Sequence, residues 1–82
     1  MTKEEIMSKV VDIIHETLGV DKEYIKPKSN IVEDLAADDL DCVELMMDLE
    51  EWFGIYITED EAESLKTVGE IVDFLEKKLG AT

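Results

Sequence analysis

Apolar residues recur every three or four positions in four segments of the chain, which is the spacing of one face of an α-helix. Each segment begins with a hydroxyl or carboxyl residue that is followed three positions later by an acid, the pattern of a helix capping box. The four pairs are Thr2 and Glu5, Asp38 and Asp41, Thr58 and Glu61, and Thr67 and Glu70. We therefore predict four helices: α1 over about 3–18, α2 over 39–53, α3 over 59–65 and α4 over 68–79.

Glycines follow three of these segments, at Gly19, Gly54 and Gly80. Glycine readily takes the left-handed conformation that ends many helices. The long connection between α1 and α2 carries apolar residues that we expect to pack onto the helices: Ile25, Ile31, Val32 and Leu35. The best strand candidate, residues 55–57, is too short to change the fold class. The pattern predicts a single all-α domain over residues 1–82, a four-helix bundle with a long α1–α2 loop and a short α3.

The predicted helix α2 is apolar on two sides. One side is the expected core face, formed by Cys42, Leu45, Met46, Leu49, Trp52 and Phe53, with Trp52 either in the core or at its rim. On the other side Leu40, Val43 and Met47 form a second stripe, although a helix in a small bundle needs only one. The second stripe is either core beneath the long connection or an exposed ridge. We favour an exposed ridge that contacts a partner protein.

The charge of the chain is strongly negative and unevenly distributed. There are 22 acids and eight basic residues, which gives a net charge of −14, and 13 acids but no basic residue lie between Lys28 and Lys66. Such a charge repels nucleic-acid backbones and anionic membranes, so we expect neither as a partner. An acidic surface can serve solubility alone, but this segregation favours a basic protein partner.

Other features of the sequence exclude several classes of protein. A single cysteine cannot form an internal disulfide, and we see no signal peptide or membrane-spanning stretch, so we expect a soluble, cytoplasmic protein. We also expect it to be a monomer. No nucleophile and base are paired around His15 or Cys42, which argues against an enzyme. An EF-hand starting at Asp34 fails at Ala36 and Asp39, so no metal site is predicted; weak divalent binding by the α2 acids stays open.

Two ordered motifs carry a family resemblance. They are Asp34-Leu35-Ala36-Ala37-Asp38-Asp39-Leu40-Asp41, continued by Val43-Glu44-Leu45, and Leu49-Glu50-Glu51-Trp52-Phe53. With Asp60-Glu61-Ala62-Glu63 and Thr67-Val68-Gly69-Glu70 downstream, the chain resembles the acyl carrier proteins of fatty-acid and polyketide synthesis. The resemblance implies docking onto basic patches of acyl-synthesis enzymes and of the phosphopantetheinyl transferase. It also implies an acyl chain carried on a phosphopantetheine arm, which family members bear on a serine.

The resemblance also implies roles for particular residues. The implied partner-binding residues are Asp38, Leu40, Asp41, Val43, Glu44, Met47, Glu50 and Glu51. The implied acyl-pocket residues are Ile31, Leu35, Met46, Leu49, Phe53, Ile57, Ala62, Leu65 and Ile71. All of the pocket positions are apolar, as core positions would be in any case.

The chain departs from the family at the attachment position, where Asp39 replaces the serine. A carboxylate has no hydroxyl through which the arm can be attached, so we expect no phosphopantetheine on this chain. Either a Ser-to-Asp change locks a carrier in its unmodified form, or a natural relative has given up loading and acts as a regulator or decoy. Ala36 replaces the family's usual glycine, a mild change if the backbone there does not need a positive φ.

Overall fold

The computed structural model describes residues 1–80 and consists of four α-helices. The helices are α1 (Lys3–Leu18), α2 (Asp39–Phe53), α3 (Glu59–Ser64) and α4 (Val68–Lys78), with a short 3-10 helix at Lys22–Tyr24. Over the described residues there is no β-strand, and only an isolated bridge joins Asn30 to Thr67. The all-α prediction is confirmed, with α3 and α4 each one residue shorter than expected.

Local hydrogen bonds set the bounds of the helices as the sequence predicts. All four predicted capping boxes are present. At the start of α2, Asp38 Oδ1 accepts the N–H of Asp41 at 2.8 Å, and Asp41 Oδ2 accepts the N–H of Asp38 at 3.1 Å. Gly19 and Gly54 end α1 and α2 with φ of 69° and 66°. These features are fixed by residues at most four apart, which explains why they could be predicted.

The core lies between α1 and the two helices that pack against it, α2 and α4. Its fully buried centre consists of aliphatic side chains: Ile6, Val10, Ile14, Leu45, Leu49, Val68, Ile71 and Leu75. None of the helices in the described part of the chain has the length and apolarity needed to cross a membrane.

The long connection packs onto this core at three of the four predicted positions. Ile25, Ile31 and Leu35 are buried, whereas Val32 is exposed, so the prediction for Val32 is wrong. The reason is a turn in which Asn30 Oδ1 accepts the N–H groups of both Val32 and Glu33 at 2.9 Å. The turn directs Ile31 inward and leaves Val32 at the surface.

Trp52, which the sequence places either in the core or at its rim, is exposed. The buried face is narrower and consists of Leu45, Met46 and Leu49, while Cys42 and Phe53 are only partly buried. Helix α1 presents Lys9 to the edge of this face, and its Nζ lies 4.3 Å from the centroid of the Trp52 ring. An ammonium group stays hydrated, so the ring that contacts it stays at the surface.

Candidate docking and attachment site

The second apolar stripe of α2 lies at the surface. Leu40, Val43 and Met47 are 65%, 55% and 59% exposed, and we call these three residues the ridge. The long connection therefore does not cover them, and the alternative that the stripe belongs to the core is excluded. Three large apolar side chains exposed on one helix face form a surface of the kind that partner proteins bind.

Carboxylates without an ion-pair partner surround the ridge. Helix α2 carries six acids and no basic residue: Asp39, Asp41, Glu44, Asp48, Glu50 and Glu51. The ion pairs found between residues 1 and 80 are Lys3–Asp73, Lys9–Asp12, Lys22–Asp12 and Lys78–Glu61, and none of them includes an α2 acid. The negative charge of α2 is thus not neutralised by a direct contact within this part of the molecule.

The first turn of α2 divides its acids between two roles. Asp38 and Asp41 cap each other, so both of these predicted partner-binding residues first stabilise the helix start. Asp39 is exposed, and across the described residues no hydrogen bond or ion pair engages its carboxylate. Asp39 therefore lies exposed next to Leu40, the first residue of the ridge, at the position where the related motif has its attachment serine.

The chemistry of position 39 does not suit phosphopantetheine, because a carboxylate offers no hydroxyl to esterify. The fold does bring one hydroxyl residue into the same cleft, since Thr58 and Asp39 both line it. Thr58 lies far from Asp39 in sequence, so this proximity was not expected. Its Oγ1 accepts the N–H of Glu61 at 3.1 Å as the cap of α3, which gives this hydroxyl a structural role.

An open cleft of about 780 Å³ lies beside the ridge, between α2 and α3. Five of the nine expected acyl-pocket residues line it, namely Ile31, Met46, Ile57, Ala62 and Leu65. The other four do not: Leu35, Leu49 and Ile71 are buried in the core and Phe53 packs against it. Sequence spacing cannot separate a cleft wall from the core behind it, because both are apolar.

Several cleft residues were not anticipated by the sequence pattern. They are Val32, Cys42, Thr58, Glu59, Glu63 and Lys66. Glu59 and Glu63 lie four residues apart on α3, a spacing that could have indicated one acidic face. Nothing in the sequence pattern indicated that Lys66 lines the cleft. Val43 and Met47 belong both to the ridge and to the cleft wall, so the two features form one continuous surface.

The remaining candidate side chains have structural surroundings. Burial, and the charges of Asp39, Asp41 and Asp38, raise the pKa of the Cys42 thiol and disfavour its reactive thiolate form. His15 Nδ1 lies 2.7 Å from the carbonyl oxygen of Val20, a contact that holds the end of α1. Among residues 1–80 no three histidine, cysteine or acidic side chains are placed to hold a metal ion.

Comparison with known proteins gives consistent matches over most of the chain. Residues 8–75 match the family described as "Phosphopantetheine attachment site". The acyl carrier protein of Syntrophobacter fumaroxidans is 55% identical over 73 residues, which cover 89% of this chain and 90% of that protein. The acyl carrier proteins of Thermotoga maritima and Thermosynechococcus vestitus are 47% and 48% identical, over 96% and 99% of this chain and 98% and 100% of theirs.

Proposed function

The chain belongs to the acyl carrier protein family, and we propose that it docks on acyl-synthesis enzymes through α2 without carrying phosphopantetheine. Members of this family are carriers rather than enzymes, and fatty-acid biosynthesis is their usual role. The expected partners are these enzymes and the phosphopantetheinyl transferase, each contacting α2 through a basic patch. The expected compartment is the cytoplasm.

The observation that supports docking most strongly is the exposed ridge surrounded by unneutralised carboxylates. Burial of Leu40, Val43 and Met47 against a partner supplies affinity, while the acids orient a basic surface and speed its approach. Glu44 and Glu51 are exposed beside the ridge, and Glu50 is partly exposed there. These three acids are the proposed electrostatic contacts.

The proposal that the arm is absent rests on the side chain at position 39. Asp39 has the exposure that an attachment residue needs but lacks the hydroxyl that the attachment chemistry needs. Its negative charge also partly imitates the phosphate that a modified carrier bears there. We therefore expect partners to meet a carrier that lacks the arm and its thiol but bears a negative charge at the attachment position.

The cleft between α2 and α3 is the proposed acyl pocket. Its wall includes Ile31, Met46, Ile57, Ala62 and Leu65, and its volume is about 780 Å³. It also opens beside position 39. If position 39 were a serine, the apolar cleft would lie next to the point where the arm is attached.

The docking proposal can be tested by calorimetric titration of the chain with a phosphopantetheinyl transferase. Glu44→Lys reverses a charge beside the ridge, whereas Glu76→Lys reverses a charge on α4 as a matched control. We expect Glu44→Lys to weaken binding far more than Glu76→Lys, and we expect binding to weaken as salt rises. Equal effects of the two variants would mean that net charge, and not α2, determines binding.

A second candidate function is a regulatory decoy that occupies such enzymes without delivering a substrate. Asp39 itself favours it, because a docking surface without an attachment hydroxyl can bind partners but cannot load. The two functions differ in what a serine at position 39 would achieve. A blocked carrier regains loading with Asp39→Ser, whereas a diverged decoy binds the transferase and stays unmodified even with the serine.

A further inference from the structure

Two adjacent methionines of α2 lie in opposite surroundings. Met46 is 8% exposed and belongs to the hydrophobic core, whereas Met47 is 59% exposed at the C-terminal end of the ridge. Of the other two methionines, Met7 packs against the core and Met1 is exposed at the N-terminus, outside α2. Met47 is therefore the methionine whose sulfur is both accessible and part of the proposed docking surface.

We propose that Met47 is a reversible oxidation site through which peroxides weaken docking at the ridge. The sulfur lone pair attacks one oxygen of the peroxide, an S–O bond forms and the O–O bond breaks. With hydrogen peroxide the sulfur loses two electrons, and the second oxygen leaves as water after proton transfer. A dithiol-dependent sulfoxide reductase reverses the change, forming a disulfide and water. The effect on docking rests on the proposed function.

The position of Met47 determines what oxidation does to the molecule. A sulfoxide is polar, so it would disrupt a core at Met46, but at Met47 it is solvated and leaves the packing unchanged. On the ridge, Met47 follows Val43 by one helical turn and forms part of the cleft wall. Oxidation therefore places a polar group in the surface that a partner would bury, while the fold remains intact.

Cys42 is the competing oxidation site and needs separate treatment. Its thiol is partly buried, and its pKa is raised by burial and by the neighbouring aspartates, so little of it is the reactive thiolate at neutral pH. The experiment is nevertheless done in a Cys42→Ala background, where no added oxygen can belong to a cysteine. The same background serves for every variant.

The test exposes the full chain to tert-butyl hydroperoxide and follows each methionine by peptide mass spectrometry. We expect Met47 to be oxidised roughly tenfold faster than Met46, with circular dichroism unchanged when only Met1 and Met47 carry oxygen. Equal rates at Met46 and Met47, or loss of helicity that accompanies Met47 oxidation, would overturn the inference.

Binding to the phosphopantetheinyl transferase is then measured before oxidation, after oxidation and after treatment with a methionine sulfoxide reductase. We expect roughly tenfold weaker binding after oxidation, recovery after reduction, and no effect of oxidant on Met47→Leu. If the oxidant also weakens the binding of Met47→Leu to the transferase, the oxidation of another residue causes the effect. If Met47 is oxidised selectively but Met47→Gln binds like the parent, the ridge is not the docking surface and the proposed function fails instead.

Discussion

Glu50 Oε2 accepts the backbone N–H of Ile57 at 2.7 Å, which ties the last turn of α2 to the segment that leads into α3. Ile57 is buried in the core, so the bond satisfies an N–H that has little access to water. Glu50 was predicted from the family resemblance as a partner-binding residue. Its position gives it a structural role as well, which its exposed neighbour Glu51 does not share.

The pair Glu50 and Glu51 makes a matched test of this difference. We expect Glu50→Ala to lower the free energy of unfolding by about 1–3 kcal/mol, because it leaves the Ile57 N–H without its acceptor. Glu51→Ala removes the same charge and should change stability by less than about 0.5 kcal/mol. Urea denaturation of the two variants measures both values, and equal stabilities would show that the hydrogen bond contributes nothing.

Ala36 has a positive φ of 61°, the one such non-glycine residue in the part of the chain described. The replacement of the family's glycine is therefore not mild, since a side chain in the left-handed region costs roughly 1–2 kcal/mol. Glycine would avoid this cost, but part of the gain is lost because glycine loses more conformational entropy on folding. We expect Ala36→Gly to raise the free energy of unfolding by about 0.5–1 kcal/mol, seen as a higher Tm.

The control for this substitution is Ala37→Gly at the next position. Ala37 is buried, its φ is not positive and its N–H donates to the Ile31 carbonyl at 2.9 Å. Glycine there gains nothing from the backbone and loses a buried methyl group, so stability should fall by about 1 kcal/mol. A decrease at both positions would mean that Ala36 is not strained.

Met47→Glu tests whether the ridge serves binding rather than folding. Because Met47 is exposed, we expect a change in stability of no more than about 0.5 kcal/mol together with clearly weaker partner binding. Leu49→Ala, two residues away on the buried face, should cost about 2–5 kcal/mol. Thermal unfolding distinguishes the two, and a core-sized loss for Met47→Glu would place Met47 in the core and remove the docking surface.

The cap of α4 should make stability depend on pH. Glu70 Oε1 accepts the N–H groups of Thr67 and Lys66, each at 2.9 Å, and these bonds lower the pKa of the carboxyl. A pKa lowered by folding means that the unfolded chain binds the proton more readily. The stabilisation is therefore complete above the ordinary glutamate pKa and is lost as pH falls through the lowered value.

Glu70→Gln keeps an acceptor oxygen but removes the charge. We expect its Tm to lie below that of the parent at pH 7, and the gap to close as the pH is lowered and Glu70 is protonated in the parent. Glu63→Gln removes one charge from an exposed position that has no capping role, which corrects for the change in net charge. A gap that widens on acidification would contradict the assigned direction of the pKa shift.

Much of the fold could be predicted because its signals are local. Thr2, Asp38, Thr58 and Thr67 each bond to a residue three positions away, and Gly19 and Gly54 end their helices by their own conformation. The exposure of Met47 was also predictable, since α2 has more apolar residues than one buried face can use. These features need no knowledge of distant parts of the chain.

The open, incorrect and missing predictions concern contacts between distant segments and one local turn. Trp52 lies at the surface, where Lys9 of α1 contacts its ring. Val32 lies at the surface because the side chain of Asn30 holds the chain in a turn. Lys66 lines the cleft because its carbonyl accepts the N–H of Ile31 at 3.0 Å, which joins two segments far apart in sequence. Neither hydrophobic spacing nor composition carries information about such contacts.

Incubation of the chain with a phosphopantetheinyl transferase and coenzyme A, followed by measurement of its intact mass, shows whether position 39 can accept the arm. The parent should keep its mass, because Asp39 offers no hydroxyl, and Asp39→Ser should gain one phosphopantetheine. If the parent gains the arm, Asp39 does not prevent the attachment of phosphopantetheine to this chain. If the serine variant binds the transferase but stays unmodified, the chain is not a blocked carrier, and the regulatory decoy is the function that fits.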